Sequence, residues 1–152
     1  MGKTIARGGR LEIRRRMGAW FWPALFAAAV LGLGGEPEAA APTWAAFLRH
    51  LFPGWSEATL HTAVFALRKA GHVLAYAVMM CLCARGTRLS SGRVRWVLAA
   101  GLTAALAVAD ELNQLRFAAR TGSALDVGID MVGALCGGAW YARLRGGRFR
   151  RI

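Results

Sequence analysis

The sequence predicts an all-α fold, an integral membrane bundle of four transmembrane helices with the N and C termini in the cytoplasm. Apolar residues make up 56% of the 152 residues, which is high for a soluble domain of this length. They concentrate in four runs that approach or exceed the roughly 20 helical residues needed to cross a hydrocarbon core. The basic residues lie mainly in blocks that border these runs, as residues that set membrane topology do.

The four predicted spans are residues 17–35, 61–84, 94–114 and 124–144. They form one transmembrane domain, residues 17–144, between a basic cytoplasmic N-terminus (1–16) and a basic cytoplasmic tail (145–152). The first span has an alternative, because "RRR" before an apolar core and the small residues of "EAAAP" after it are also typical of a cleaved signal peptide. The run is long for a signal core, and cleavage would leave the orientation of the other three spans unchanged.

The distribution of charge predicts the orientation. Of the 20 Lys and Arg residues, six precede the first span, four separate the second from the third, five lie at the C-terminal end and five lie on the opposite side. The positive-inside rule therefore places both termini in the cytoplasm. The formal charge of +12 also raises nucleic acid as a partner, but no zinc-ligand spacing or stacking-aromatic module accompanies it. We therefore predict that the protein contacts membrane lipids and does not bind nucleic acid.

Residues 36–58 form the longest predicted external loop. This segment is rich in large apolar side chains, which are Trp44, Phe47, Leu51, Phe52 and Trp55. They suit a short amphipathic helix in the outer headgroup layer, where Trp is enriched. A partly buried loop packed on the bundle is the alternative.

Ionisable and polar side chains recur at one depth in the last three spans. With a rise of about 1.5 Å per residue from each basic inner end, they fall in the outer third of a core about 30 Å thick. Residues three or four apart share one side of a helix. This rule defines three stripes, which are Lys69, His72 and Tyr76, then Asp110 and Gln114, and finally Asp126, Asp130, Gly133 and Gly137. Glu111 lies about 100° from Asp110 and is expected at the side of the cluster.

Energetics favour one shared polar pocket over separate exposed charges. A charge at the bilayer centre costs about 2.5 to 3.5 kcal/mol on insertion scales, and pairing around a hydrated pocket removes most of that cost. Intramembrane ionisable residues are usually functional, so we expect a functional site. An interfacial salt-bridge network that only holds the helices together is the alternative.

The order of these residues resembles the VanZ-like family of small bacterial membrane proteins, named for a member associated with resistance to teicoplanin. In that family a Lys-x-x-His-x-x-x-Tyr stretch opens one span, matched here by "KAGHVLAY" with Lys69, His72 and Tyr76. An Asp-Glu-x-x-Gln element closes the next span, matched by "DELNQ" at residues 110–114.

The family's last element is an Arg followed by a span with Asp and Asn four apart and then Gly. The stretch "RTGSALDVGIDMVG" supplies Arg120, Asp126 and Gly133, while Asp130 stands where Asn is usual and adds a negative charge. The resemblance covers roughly residues 60–140. It implies a location in the bacterial cytoplasmic (inner) membrane and a role in the cell envelope, with an effect on glycopeptide susceptibility, but it does not supply a reaction.

The leading hypothesis is that the pocket binds or processes a lipid-linked envelope substrate carrying phosphate or sugar. The candidate catalytic residues are His72, Asp110, Glu111 and Asp126, and the candidate substrate-binding residues are Lys69, Tyr76, Gln114, Arg120 and Asp130. Histidine is the natural proton carrier because its reference pKa is about 6.5. Lys and Arg can hold a phosphate, Arg by two parallel hydrogen bonds.

Non-enzymatic roles remain open at the level of sequence. The same acids and His72 could hold a hard divalent cation through oxygen ligands, or relay protons. Four spans are few for a transporter, so translocation would need an oligomer. A purely structural envelope adaptor is a further alternative.

Overall fold

The computed structural model describes residues 2–33, 37–115 and 124–149, which form five α-helices without a strand in these ranges. The helices are α1 (Gly2–Leu33), α2 (Pro37–Leu51), α3 (Glu57–Ser91), α4 (Trp96–Gln114) and α5 (Ala124–Phe149). The prediction of an all-α fold is confirmed. Because α1 begins at Gly2, the basic N-terminal segment and the predicted first span belong to one helix.

The central helix is α3, which packs against all four others and most extensively against α5. Its start follows from local chemistry, since the Ser56 side chain accepts a hydrogen bond from the Thr59 amide at 3.2 Å and Glu57 lies in the first turn. It ends at Gly92, whose φ of 79° is a left-handed conformation that glycine adopts without strain. At 35 residues, α3 is about 50 Å long and reaches beyond both ends of the predicted second span.

The turn between α3 and α4 is held by backbone and side-chain hydrogen bonds. The Gly92 amide donates to the Arg88 carbonyl at 2.8 Å. The Arg95 amide donates to the Thr87 hydroxyl oxygen at 3.2 Å, and Thr87 is buried. These bonds satisfy backbone groups that helix ends leave open, so α4 returns antiparallel to α3 from a fixed start.

The buried core joins α3, α4 and α5. Its members are Tyr76, Met79, Met80, Cys83, Ala84, Ala99, Leu106, Ala107 and Ala134. Phe26, Ala27 and Val30 of α1 pack against this core. The small side chains on α4 let it lie close to α3.

The contact between α3 and α5 depends on two glycines. A Cβ added at Gly133 would overlap the Val73 carbonyl, and one at Gly137 would overlap the Ala77 carbonyl. The spacing of four places both glycines on one side of α5, as in the close helix pairs of membrane proteins. Residue numbers rise together along the two helices at these contacts, so α3 and α5 run parallel.

The segment predicted as an external loop contains α2. Leu48 packs against Leu60 and Val64 of α3 in a small separate core. Trp44, Phe47 and Leu51 remain exposed, so α2 has one apolar face on α3 and another that no described residue covers.

The outer surface of the bundle is apolar. Two of the described helices, α3 and α4, are long and apolar enough to cross a membrane, and at most 33% of their apolar windows is buried in the protein. A soluble core helix of such composition would be mostly buried. Val97, for example, is 88% exposed. The helices α1 and α5, predicted as the first and fourth spans, do not meet the same criterion.

Candidate functional site

The polar stripe of α3 meets the acidic residues of α4 and α5 near the end of the bundle where α2 lies. Lys69, His72 and Tyr76 follow one another at spacings of three and four, so they face the same side of α3. That side faces the seam with α5 and α4, because Gly133 and Gly137 bring the α5 backbone against it.

The outermost pair of this cluster is Lys69 with Asp126. The Lys69 ammonium donates a hydrogen bond to Asp126 Oδ1, and both side chains are about one-quarter exposed. The ammonium also lies 5.4 Å from the ring centroid of Phe65, one turn earlier on α3, within the range of a cation–π contact. These contacts fix the Lys69 head at the rim of the cluster.

One turn deeper, His72 pairs with Asp130. His72 Nδ1 lies 3.1 Å from Asp130 Oδ1, and the exposed fractions of the two side chains are 25% and 1%. A buried carboxylate therefore orients an imidazole ring that is still partly exposed. With the Nδ1 hydrogen donated to Asp130, Nε2 of the neutral ring can accept a proton.

The deepest part of the cluster joins α3 to α4. The Tyr76 hydroxyl donates to Asp110 Oδ2 at 3.4 Å, and Gln114 Nε2 donates to the same oxygen at 3.1 Å. All three side chains are buried. The Tyr76 ring also stacks on the His72 ring, with centroids 6.4 Å apart. The Tyr76–Asp110 pair therefore lies next to the His72–Asp130 pair.

Two carboxylate oxygens in the cluster have no hydrogen-bond donor within the described residues. They are Asp110 Oδ1 and Asp130 Oδ2, and both are buried. A buried acceptor without a hydrogen-bond partner costs free energy. A proton or a polar ligand that reached these two oxygens would remove that cost. Glu111 is buried beside Asp110 on α4.

The structure brings together seven of the nine residues predicted as site residues, linked by the contacts just described. Glu111, the eighth, is buried on α4, and Arg120 lies outside the described residues. The sequence argument missed Phe65, although an aromatic four residues before Lys69 is a detectable signal. It also missed Asn113, whose Nδ2 donates to the Leu31 carbonyl at 3.0 Å and ties α4 to α1.

A divalent cation was among the expectations from sequence. Within residues 2–33, 37–115 and 124–149, no group of three or more His, Cys, Asp or Glu side chains is arranged to hold a metal ion.

Comparison with protein families gives a match to VanZ/LLP1 over residues 18–145. The chain belongs to the VanZ/LLP1 family. The match includes the C-terminal half of α1 from residue 18 onward, which the resemblance of the polar motifs did not cover. No curated protein and no solved structure matches this VanZ/LLP1 chain. Family membership and the two apolar helices indicate a membrane protein.

The site of this VanZ/LLP1 protein has two layers. Lys69, Asp126 and His72 are partly exposed and form the outer layer, while Asp110, Tyr76 and the other buried groups lie behind them. Two of these three partly exposed side chains, Lys69 and His72, can donate hydrogen bonds. The arrangement can bind an anionic or hydroxyl-rich group at the rim and move a proton through the oriented imidazole.

Proposed function

We propose that this VanZ/LLP1 protein binds and processes a lipid-linked compound of the bacterial cell envelope, carrying phosphate or sugar, at the outer face of the cytoplasmic membrane. The observation that carries the proposal is the partly exposed His72 held by the buried Asp130 through a 3.1 Å contact. Enzymes orient a histidine general base in this way, because a carboxylate hydrogen-bonded to one ring nitrogen fixes the tautomer of the imidazole. The family's link to teicoplanin implies an effect on glycopeptide susceptibility.

The proposed topology has four spans, α1, α3, α4 and α5, with both termini in the cytoplasm. It is supported by the excess of Lys and Arg at the N-terminus, at the α3–α4 turn and at the C-terminus. The position of α2 supports the same orientation. It packs on Leu60 and Val64, near the end of α3 that carries Lys69, and its exposed Trp44 and Phe47 suit the outer headgroup layer.

In the proposed mechanism, the substrate's phosphate or sugar lies against the outer layer. The Lys69 ammonium donates to it while Asp126 keeps the ammonium in place. His72 Nε2 accepts the proton of an attacking water or substrate hydroxyl, and Asp130 stabilises the imidazolium that forms. The activated oxygen attacks the phosphorus or the anomeric carbon of the substrate, the bond from that atom to the leaving oxygen breaks, and the His72 imidazolium returns its proton to the leaving oxygen. With water as the nucleophile the reaction is hydrolysis, and with a substrate hydroxyl it is group transfer.

The test compares His72→Gln and Asp130→Asn with matched control variants elsewhere in the same protein. His61→Gln removes an exposed histidine from the same helix, and Glu57→Gln removes an exposed acid. Copurified lipid is identified by mass spectrometry, and its turnover and the teicoplanin susceptibility of an expressing host are then measured. General acid–base groups contribute about 100-fold or more to rate, so both site variants should lose at least that much at unchanged membrane abundance. Loss of abundance together with activity would instead favour a structural network.

A second candidate function, proton binding or translocation, is favoured by the unpartnered oxygens of Asp110 and Asp130. A carboxyl group that takes up a proton there replaces an unsatisfied acceptor by a donor. Liposomes loaded with a pH-sensitive dye would test it. Proton flux that depends on the chain and disappears in Asp110→Asn would favour this function, and lipid turnover without flux would favour the first.

A further inference from the structure

The turn between α3 and α4 carries positive charge that no nearby acid balances. The last turns of α3 and the residues that follow carry four arginines, which are Arg85, Arg88, Arg93 and Arg95. The sequence has no Asp or Glu between Glu57 and Asp110. None of the four arginines forms an ion pair with a described residue. The turn begins about 35 Å from Lys69 along α3, so this charge is separate from the polar cluster.

A cavity opens beside the same turn and changes character along its length. Its volume is about 650 Å³, with Arg93 and Arg95 at one end and Val97, Leu98, Gly101 and Leu102 along the wall. The Ser91 hydroxyl donates to the Arg93 carbonyl at 3.0 Å, and the Arg95 amide donates to the Thr87 hydroxyl oxygen, so both arginine backbones are held in place. The cavity is therefore cationic where it meets the turn and apolar where it follows α4.

The apolar wall continues along the exposed side of α4. Val108 and Leu112 are both exposed. Val108 follows Val97 by eleven residues and Leu112 follows Gly101 by eleven, a spacing that returns to nearly the same side of a helix. Together they make a strip that runs from the arginines toward the other end of the bundle.

We propose that the cavity binds an anionic phospholipid, with its phosphodiester between Arg93 and Arg95 and an acyl chain along the strip on α4. Charge complementarity selects the headgroup, because Arg binds phosphate oxygens by paired hydrogen bonds. A free phosphate would leave the apolar wall uncovered. A second copy docked through the same face in a symmetric dimer would bring its own arginines against these, and like charges repel.

The experiment titrates the purified full chain in phosphatidylcholine nanodiscs with phosphatidylglycerol and counts retained lipid by native mass spectrometry. Each arginine that contacts the bound headgroup contributes about fivefold to the binding of this anionic lipid. Replacing both, Arg93→Gln with Arg95→Gln, should weaken phosphatidylglycerol binding roughly 30-fold. The matched control, Arg143→Gln with Arg145→Gln, removes the same charge from α5 at the same end of the bundle and should leave the affinity nearly unchanged.

A second variant tests the acyl-chain part without touching the arginines. A Cβ at Gly101 would meet nothing within 4 Å, so Gly101→Leu should fill the cavity without moving the helix and should weaken phosphatidylglycerol binding. Inorganic phosphate should not displace the lipid. Wild-type binding by the double arginine variant would overturn the proposal. Displacement by inorganic phosphate with no effect of Gly101→Leu would reduce the site to an anion site. A dimer in pure phosphatidylcholine that Gly101→Leu dissociates would assign the face to a second copy.

Discussion

Replacing Gly137 by alanine should push α3 and α5 apart and destabilise the bundle. A Cβ there would overlap the Ala77 carbonyl group, whose carbon would be 2.7 Å away, whereas ordinary contact begins at 3.4 Å. Because the obstacle is backbone, no side-chain rotation relieves the overlap, and the helices must separate by about 1 Å. We expect the free energy of unfolding to fall by about 3 kcal/mol, the upper part of the usual range for overpacked cores.

The same separation should loosen the site, because the Lys69–Asp126 and His72–Asp130 pairs join the same two helices. The assay is unfolding in mixed micelles of dodecyl sulfate and a non-ionic detergent, followed by circular dichroism. Gly128→Ala is the control on α5, since its Cβ would meet nothing within 4 Å. This control should be neutral or stabilising by up to about 1 kcal/mol, because alanine favours helix over glycine. Equal stability of the two variants would refute the packing argument.

The remaining predictions concern single hydrogen bonds and use the same unfolding assay. Tyr76→Phe should cost about 1 to 3 kcal/mol, because it removes one of two donors to the buried Asp110 carboxylate; an unchanged stability would contradict that role. Asn113→Ala should cost about 1 kcal/mol and should speed proteolysis of α1, because it removes the bond to the Leu31 carbonyl. If α1 keeps its protection from protease, this bond does not anchor it. Ser56→Ala should cost about 1 kcal/mol through loss of the α3 N-cap, and replacement by Asn should restore most of it.

Several features of the fold were predictable from local sequence. Apolar runs of adequate length predict helices, and spacings of three and four predict that Lys69, His72 and Tyr76 share one side of α3. The same rule puts Gly133 and Gly137 on the acidic side of α5, and the structure places both against the α3 backbone. These inferences succeed because helix geometry is set within a few residues of chain.

The depth estimates were less accurate for α4 than for α5. At about 1.5 Å per residue from the basic inner ends, Lys69 and Asp126 lie at depths of about 24 and 26 Å, and His72 and Asp130 both at about 20 Å. These are the pairs in the structure. The same count puts Asp110 at about 22 Å, near the level of His72, whereas its hydrogen bond goes to Tyr76, one turn deeper. A basic residue at a helix end is a poor depth marker, because its side chain is long and the helix can slide along its neighbour.

The sequence by itself determined the helical character of the chain, the side of each helix that carries the polar residues, and the contrast between a basic end and an acidic end. Only the tertiary structure decided which acid meets which partner. Sliding α5 by one turn along α3 would keep every polar stripe facing the seam and would change every pair. The contact of Gly133 with Val73, and of Gly137 with Ala77, selects one alignment, because only there do two missing side chains let the backbones touch.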